Sequence, residues 1–268
     1  MNLRKLLLTE NNCCIARIKI TPTGIMVHST GVNNPSLKRY VGPDDGIIGI
    51  NTNNNHWNQP KPDGREVCVH AFIGKLADGT IATYQTLPWD TRGWHSGGQA
   101  NNTHIGFEIC EDNTTDADYF NKVYQEAVEL CVMLCRTYCI APEKPALICH
   151  SEGNALGIAS AHSDVMHWFP KHGKSMDDFR ADVKRALETA ATPVPAALYR
   201  VRKTWEDSKS QIGAYKILDN AKATADERKA EGYRVFDENG TVVYVPPAPA
   251  TVKKRKTKKN KTPKSVKF

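Results

Sequence analysis

Residues 24–30, GIMVHST, form a short apolar run that gives way to polar residues at His28. A run of this length, preceded by Pro22 and opened by Gly24, is typical of a buried β-strand. The strand would present His28 at its carboxyl end. The same arrangement recurs at residues 145–152, PALICHSE, where an apolar run ends in His150.

Further stretches on either side extend this strand into a sheet. Residues 104–110, HIGFEIC, predict another short buried strand, and residues 65–88 predict a hairpin that turns at Asp78-Gly79. Apolar residues recur three and four apart at 116–139 and at 175–190, which predicts two helices. Strands interspersed with helices indicate an α/β fold with a mixed central β-sheet flanked by helices.

The composition divides the chain into four segments. We expect a large domain at 1–190, a proline-stiffened linker at 191–197, a small α+β module at 198–247 and a disordered Lys-rich tail at 248–268. In the small module the pattern predicts β-α-β-β, with the last hairpin turning at Asn239-Gly240.

The net charge of +7 is concentrated at one end of the chain. Residues 252–268 contain nine Lys or Arg and no acid. The net charge of the remaining residues is therefore about −2 (+7 minus nine). The basic balance therefore belongs to the tail and gives no indication that the folded part binds nucleic acid. No apolar run approaches the ~20 residues of a membrane span, and the amino terminus is a poor signal peptide. We expect synthesis in a cytoplasm and no membrane insertion.

Histidines at the ends of neighbouring strands indicate a metal site. We expect His28 and His150 to offer imidazole nitrogens to Zn²⁺. A catalytic zinc site also needs a third protein ligand and an open position for a water, whose pKa falls to about 7. Spacing alone leaves three candidates for that ligand, His162, Asp164 and His167, all within AHSDVMHW at 161–168.

Four stretches together resemble the zinc-dependent N-acetylmuramoyl-L-alanine amidases of the type-2 class, relatives of the peptidoglycan recognition proteins and of the T7-type lysozyme. They are GIMVHST, VCVHAFIGKLADGTIATYQTLPWDTRGWHSG, NNTHIGFEIC and ICHSEG…ASAHSD. The resemblance covers roughly residues 20–190, and the whole chain is similar to a bacteriophage endolysin of that class. It implies hydrolysis of the amide between N-acetylmuramic acid and the L-alanine of the peptidoglycan stem, with a zinc-activated water.

The same resemblance implies the site residues. The ligands of one zinc ion per catalytic domain would be His28, His150 and Asp164, since the family pattern favours Asp164 over His167. Glu108 matches a strand glutamate that faces the metal, and would act as general base or proton shuttle. His162 stands where relatives commonly have lysine, and would stabilise the oxyanion. The positions that match substrate-binding residues are His70, Trp94, His95 and Asn102.

The resemblance also implies partners. An endolysin without a signal peptide would be made in the host bacterial cytoplasm and would reach its peptidoglycan substrate through a holin-type pore. The small module is faintly similar to glycan-binding repeats of the sporulation-related type, which predicts wall targeting. The alternative is a non-catalytic peptidoglycan recognition protein, and the presence of His28, His150 and Asp164 favours the enzyme.

Overall fold

The computed structural model describes residues 1–112, 116–191 and 198–247. The chain divides into two compact units, Met1–Ala191 and Thr192–Phe268. The predicted tail at 248–268 and the predicted linker beyond Ala191 lie outside the described residues. No helix in the described ranges is both long enough and apolar enough to span a membrane.

The first unit is built on a mixed β-sheet, in agreement with the predicted fold class. Its strands are β1 (Leu3–Lys5), β2 (Gly24–Ser29), β3 (Ala71–Lys75), β4 (Ile81–Gln85), β5 (His104–Ile109) and β6 (Leu147–Cys149), in the order β1-β4-β3-β5-β2-β6. Strand β2 pairs in parallel with both β5 and β6, so the carboxyl ends of these three strands lie along one edge. Strands β3 and β4 form the predicted antiparallel hairpin.

The helices of this unit include both predicted long ones. They are α1 (Asn12–Ala16), α2 (Ala117–Tyr138), α3 (His150–Ala155), α4 (Val165–Trp168) and α5 (Met176–Ala191). Helix α2 begins after Asp116, whose side chain accepts a hydrogen bond from the backbone N–H of Tyr119. This cap satisfies a backbone donor that would otherwise have no partner in the helix.

The two faces of the sheet bury different material because successive strand residues point to opposite sides. On one face, Val27 and Phe107 belong to the main core with α2 and α5. On the other face lie His28 and Glu108, one residue further along each strand. The long polar insertion at 31–66 covers part of this second face, where its buried Trp57 packs edge-on against Phe72. This insertion forms one wall of the cavity described below.

The second unit is a four-stranded antiparallel sheet with one α-helix among its described residues. Its elements are β7 (Tyr199–Arg202), β8 (Gly213–Tyr215), α6 (Leu218–Glu227), β9 (Arg234–Phe236) and β10 (Val242–Tyr244), and the strand order is β10-β9-β7-β8. The α+β class is as predicted, but the β-α-β-β pattern is wrong because it omits β8. With three residues, β8 is too short to show alternation.

Candidate active site

Three parallel strands bring the candidate catalytic residues to one edge of the sheet. His28 of β2 lies directly beside Glu108 of β5 in the strand register. Cys149, the last residue of β6, pairs with Val27, so His150 follows at the level of His28. The edge therefore collects side chains that are far apart in sequence.

A triangle of ligand atoms lies at this edge. The Oδ2 atom of Asp164 is 2.8 Å from Nδ1 of His28 and 3.0 Å from Nδ1 of His150, and the two Nδ1 atoms are 3.2 Å apart. Zinc binds imidazole nitrogen and carboxylate oxygen at about 2.0–2.2 Å, so two ligands of a tetrahedral ion are about 3.3 Å apart. The residue types and the near-equal spacing fit one such ion, which His28, His150 and Asp164 would hold.

Hydrogen bonding leaves Nδ1 of His28 free to bind a metal. Nε2 of His95 lies 3.1 Å from the backbone oxygen of His104, which can only accept, so His95 carries its proton on Nε2. Nδ1 of His95 then accepts from Nε2 of His28, 3.0 Å away. His28 is thereby held as the tautomer with its proton on Nε2 and a lone pair on Nδ1.

His150 is held in the same tautomer by a different partner. Its Nε2 lies 3.1 Å from the hydroxyl of Ser160, which in turn lies 3.1 Å from the backbone oxygen of Ser96. The hydroxyl donates to that oxygen and accepts from the histidine. Sequence reasoning missed Ser160, since no motif distinguishes it from any other serine in a polar loop.

The charge states of the triangle also suit a metal. Burial lowers the pKa of His28 despite the carboxylate beside it, which keeps the imidazole neutral. Burial raises the pKa of Asp164, and its contacts with His150 and His28 lower it overall only where a proton lies on their Nδ1 atoms, a place that a metal ion would take in the tautomers described above. Neutral imidazoles and an ionised carboxylate are the states in which these groups bind zinc.

Asp164 adopts a backbone conformation that favours glycine. Its φ is 41° and its ψ −126°, and the N–H of Met166 donates to the oxygen of Ser163 at 3.0 Å to close the turn. These angles approach the first central position of a type II′ turn, where glycine dominates. A strained non-glycine residue persists where the surrounding structure holds it, and such residues cluster at functional sites.

The triangle opens into a cavity of about 650 Å³ that is also lined by Glu108, His162 and Trp94. The Oε2 atom of Glu108 is buried and has no hydrogen-bond partner among the described residues. Burial, and then the charges of Asp164 and Glu111, raise the pKa of Glu108 well above its usual value. The structure thus brings an unpartnered carboxyl group to the same cavity as the three candidate ligands.

Two other predicted residues flank this centre. The exposed ring of His162 lies 4.6 Å from that of His150, and its Nδ1 is 3.1 Å from the Ser160 hydroxyl. Trp94 is 41% exposed, and the guanidinium of Arg92 lies 4.7 Å from the centre of its ring. Both side chains border the cavity, where a substrate can reach them.

Three of the predicted substrate-binding residues have their polar atoms engaged by the protein itself. His70 is fully buried, with Nε2 2.7 Å from the oxygen of Thr91 and Nδ1 3.1 Å from the N–H of Gly106, so it presents nothing to a substrate. Asn102 lies outside the cavity lining, and its Oδ1 accepts a hydrogen bond from Arg92 at 2.6 Å.

His95 borders the cavity, but its two ring nitrogens are both taken, by His28 and by the oxygen of His104. Two glycines make room for its ring. A Cβ on Gly106 would lie 2.5 Å from the imidazole, and one on Gly93 would lie 3.1 Å from it. His95 is therefore a positioning residue for His28, where the sequence had suggested a substrate contact.

His167, the alternative third ligand, lies apart from the triangle. Its Nε2 is 2.9 Å from the buried carboxylate of Glu111, which also accepts from the N–H of Gly31. The insertion contributes further cavity-lining residues that the sequence did not single out: Arg39, Tyr40, Trp57 and Arg65. The only signal for them was the length of the insertion itself.

A family model described as N-acetylmuramoyl-L-alanine amidase matches residues 19–168. Among solved structures, the Staphylococcus aureus hydrolase AmiA in complex with its ligand is 17% identical, with 72% of this chain and 86% of that chain covered and a TM-score of 0.50. PlyL is 23% identical (68% and 97% covered, TM-score 0.48), and the catalytic domain of XlyA is 22% identical (68% and 99%, TM-score 0.47). No curated protein matches the chain. At these identities, the likeness to AmiA shows the fold alone.

Proposed function

Because the chain belongs to the N-acetylmuramoyl-L-alanine amidase family, we propose that it cleaves the amide between N-acetylmuramic acid and L-alanine with a zinc ion held by His28, His150 and Asp164. The observation that carries the zinc proposal is the triangle of two Nδ1 atoms and one carboxylate oxygen, 2.8–3.2 Å apart. Three lone pairs at this spacing repel one another unless a cation lies between them. When bound, zinc supplies polarisation of the scissile carbonyl and a lower pKa for the attacking water.

Glu108 is the proposed proton carrier. Its carboxylate faces the cavity beside His28 and takes a proton from the attacking water, then delivers it to the departing amine of L-alanine. Burial raises the pKa of Glu108 in the metal-free site, and a zinc ion in the same cavity would favour the ionised carboxylate that takes a proton from water. Its lack of another partner leaves it free to face a water.

His162 is proposed to stabilise the oxyanion that develops on the scissile carbonyl. Its exposed ring stands at the cavity beside His150, and because Nδ1 donates to the Ser160 hydroxyl, it is the protonated ring that would donate through Nε2 toward the substrate. Trp94, exposed where it borders the cavity, offers an aromatic surface on which a sugar ring or the stem peptide packs. In this assignment Trp94 remains a substrate-binding residue.

The remaining parts of the proposal concern the rest of the chain and its setting. We propose that the unit Met1–Ala191 is the catalytic domain and that the unit Thr192–Phe268 binds the cell wall. As an endolysin, the protein would be made in the host cytoplasm and would reach the wall through a holin-type pore. Lysis of a host that expresses the chain only when a holin is expressed with it would support this setting, and lysis without one would contradict it.

The activity is tested on purified protein. Zinc content is measured first, and the release of L-alanine-terminated peptides from purified walls is then followed with and without a chelator. We expect one zinc per chain, and release that stops on chelation and returns with added zinc. A zinc-loaded protein that binds walls without releasing peptides would be a non-catalytic recognition protein, and an active protein that survives chelation would exclude the metal mechanism.

A further inference from the structure

The sheet of the second unit has one face that α6 covers and one face without a helix among the described residues. Val201 of β7 and Val235 of β9 pack with Ala221 and Ala225 of α6 in a small core. Because successive strand residues alternate between faces, Arg200 and Arg202 of β7 and Arg234 of β9 point to the opposite side. This face therefore carries three guanidinium groups.

Two of these arginines are direct cross-strand neighbours. Arg202 pairs with Arg234 in the antiparallel register. Like charges placed directly opposite each other destabilise a sheet. Within residues 198–247 no salt bridge engages either of them or Arg200, whereas Lys222 and Arg228 elsewhere in the unit are each 3.0 Å from a carboxylate oxygen. The strand pairing thus holds together positive charges that no carboxylate of the described residues offsets.

A half-buried tryptophan lies beside the same arginines. The guanidinium of Arg202 is 5.0 Å from the centre of the Trp205 ring, and that of Arg200 is 5.7 Å away. Gly240 packs against the indole so closely that a Cβ there would lie 2.8 Å from it. Arg202 also donates to the oxygen of Trp205 at 2.7 Å and to Gln211 at 2.9 Å, both neutral acceptors. The cation is held in place while its charge stays uncompensated.

We propose that this arginine–tryptophan face (Arg200, Arg202, Trp205 and Arg234) binds a phosphodiester-linked polymer of the bacterial cell wall. Guanidinium groups bind phosphate oxygens bidentately, and a bound phosphate relieves the repulsion between Arg202 and Arg234. The exposed part of the half-buried indole offers a surface for the sugar or polyol between successive phosphates. The nine Lys and Arg of 252–268 follow β10 in sequence and favour a ligand of high negative charge density.

The proposed amidase activity, on which this inference rests, favours a phosphate polymer over the carboxylates of the stem peptide. Hydrolysis releases the stem peptides, so an enzyme anchored through them would lose its attachment as it worked. A phosphate polymer fixed elsewhere on the wall keeps its charge through the reaction. Anchoring to it keeps the catalytic unit near uncut bonds.

The test measures binding of the full chain to purified walls that retain or lack their phosphate polymers. All proteins carry Glu108→Gln so that the walls stay intact. Arg202→Gln/Arg234→Gln is compared with Lys222→Gln/Arg228→Gln, which removes the same charge from the ion-paired cations of the same unit. We expect the first pair to lower affinity for intact walls about tenfold or more, and the control pair to change it less than twofold. On walls that lack their phosphate polymers, the Glu108→Gln parent and both variants made from it should bind equally weakly.

Several outcomes would overturn the proposal. Equal binding to stripped and intact walls excludes phosphate, and unchanged binding by Arg202→Gln/Arg234→Gln excludes the face. If Arg202→Gln/Arg234→Gln lowers the affinity for duplex DNA more than the affinity for intact walls, nucleic acid is the ligand and the proposal is wrong. A fall in the melting temperature of Arg234→Gln without ligand would contradict the repulsion argument, which predicts a rise. The amidase proposal is checked separately, because Arg202→Gln/Arg234→Gln with native Glu108 should hydrolyse a soluble muramoyl-peptide as the unsubstituted chain does.

Discussion

Replacing Asp164 by glycine and by alanine separates its backbone strain from its role as a ligand. Both substitutions remove the carboxylate, and with it the contacts to His28 and His150, so the two variants differ only in how they accept φ 41° and ψ −126°. A non-glycine residue in a sparsely populated conformation costs about 1–3 kcal/mol. The greater freedom of glycine in the unfolded chain offsets about 0.4–1 kcal/mol of that difference.

We therefore expect metal-free Asp164→Gly to be more stable than metal-free Asp164→Ala by about 1 kcal/mol. For a unit of this size the difference corresponds to roughly 2–4 °C in melting temperature. Chemical denaturation in the presence of a chelator measures the free energy of unfolding, and a zinc titration of each variant measures affinity. Equal stability, or a more stable alanine variant, would refute the strain argument. Wild-type zinc affinity in either variant would refute the assignment of Asp164 as a ligand.

Three further substitutions test the proton carrier, the positioning histidine and a buried histidine. Glu108→Gln should lower kcat about 10²–10⁴-fold with zinc content unchanged, and full activity would remove Glu108 from the mechanism. His95→Ala should weaken zinc binding about 10–100-fold in a chelator competition, because His28 loses the acceptor that fixes its tautomer, whereas unchanged affinity would make His95 a packing residue. Burial lowers the pKa of His70 to about 4, so its neutral form stabilises the fold fully above about pH 6.5, and up to about 3 kcal/mol is lost as the pH falls toward 4. Urea unfolding at several pH values should show this loss of unfolding free energy. The loss should be smaller for His70→Gln over the same range, because that chain takes up about one proton fewer when it unfolds.

Local patterns were enough to predict the strands that carry the site. The apolar runs before His28, before His150 and around Glu108 each identify a strand, whereas the short helices α3 and α4, which follow from His150 and Asp164, were not predicted. Strand β1 was not predicted, because a three-residue segment that pairs with Thr83 through Gln85 depends on a distant partner. The same limit applies to β8.

The same distinction between local patterns and contacts with distant residues applies to the residues of the site. A family motif can indicate that His70 and His95 lie near the site, but whether a ring nitrogen meets substrate or a backbone oxygen depends on packing. The room for the His95 ring comes from Gly106 of β5, and no local sequence pattern predicts this contact. The strain at Asp164 is equally hidden, since the residue at that turn is not the glycine that would mark it.

The separation of the ligands along the chain gives the proposed metal a mechanical role. His28 and Asp164 lie 136 residues apart, and an ion bound to both acts as a removable cross-link that closes a loop spanning most of the catalytic unit. In an unfolded chain that still holds the ion at both ligands, the link lowers the conformational entropy. By the loop-closure relation this loss is equivalent to about 4–5 kcal/mol. The proposed zinc ion would therefore stabilise the folded unit as well as supply its chemistry. The thermal midpoint of the unit should rise with free zinc concentration even where no substrate is present.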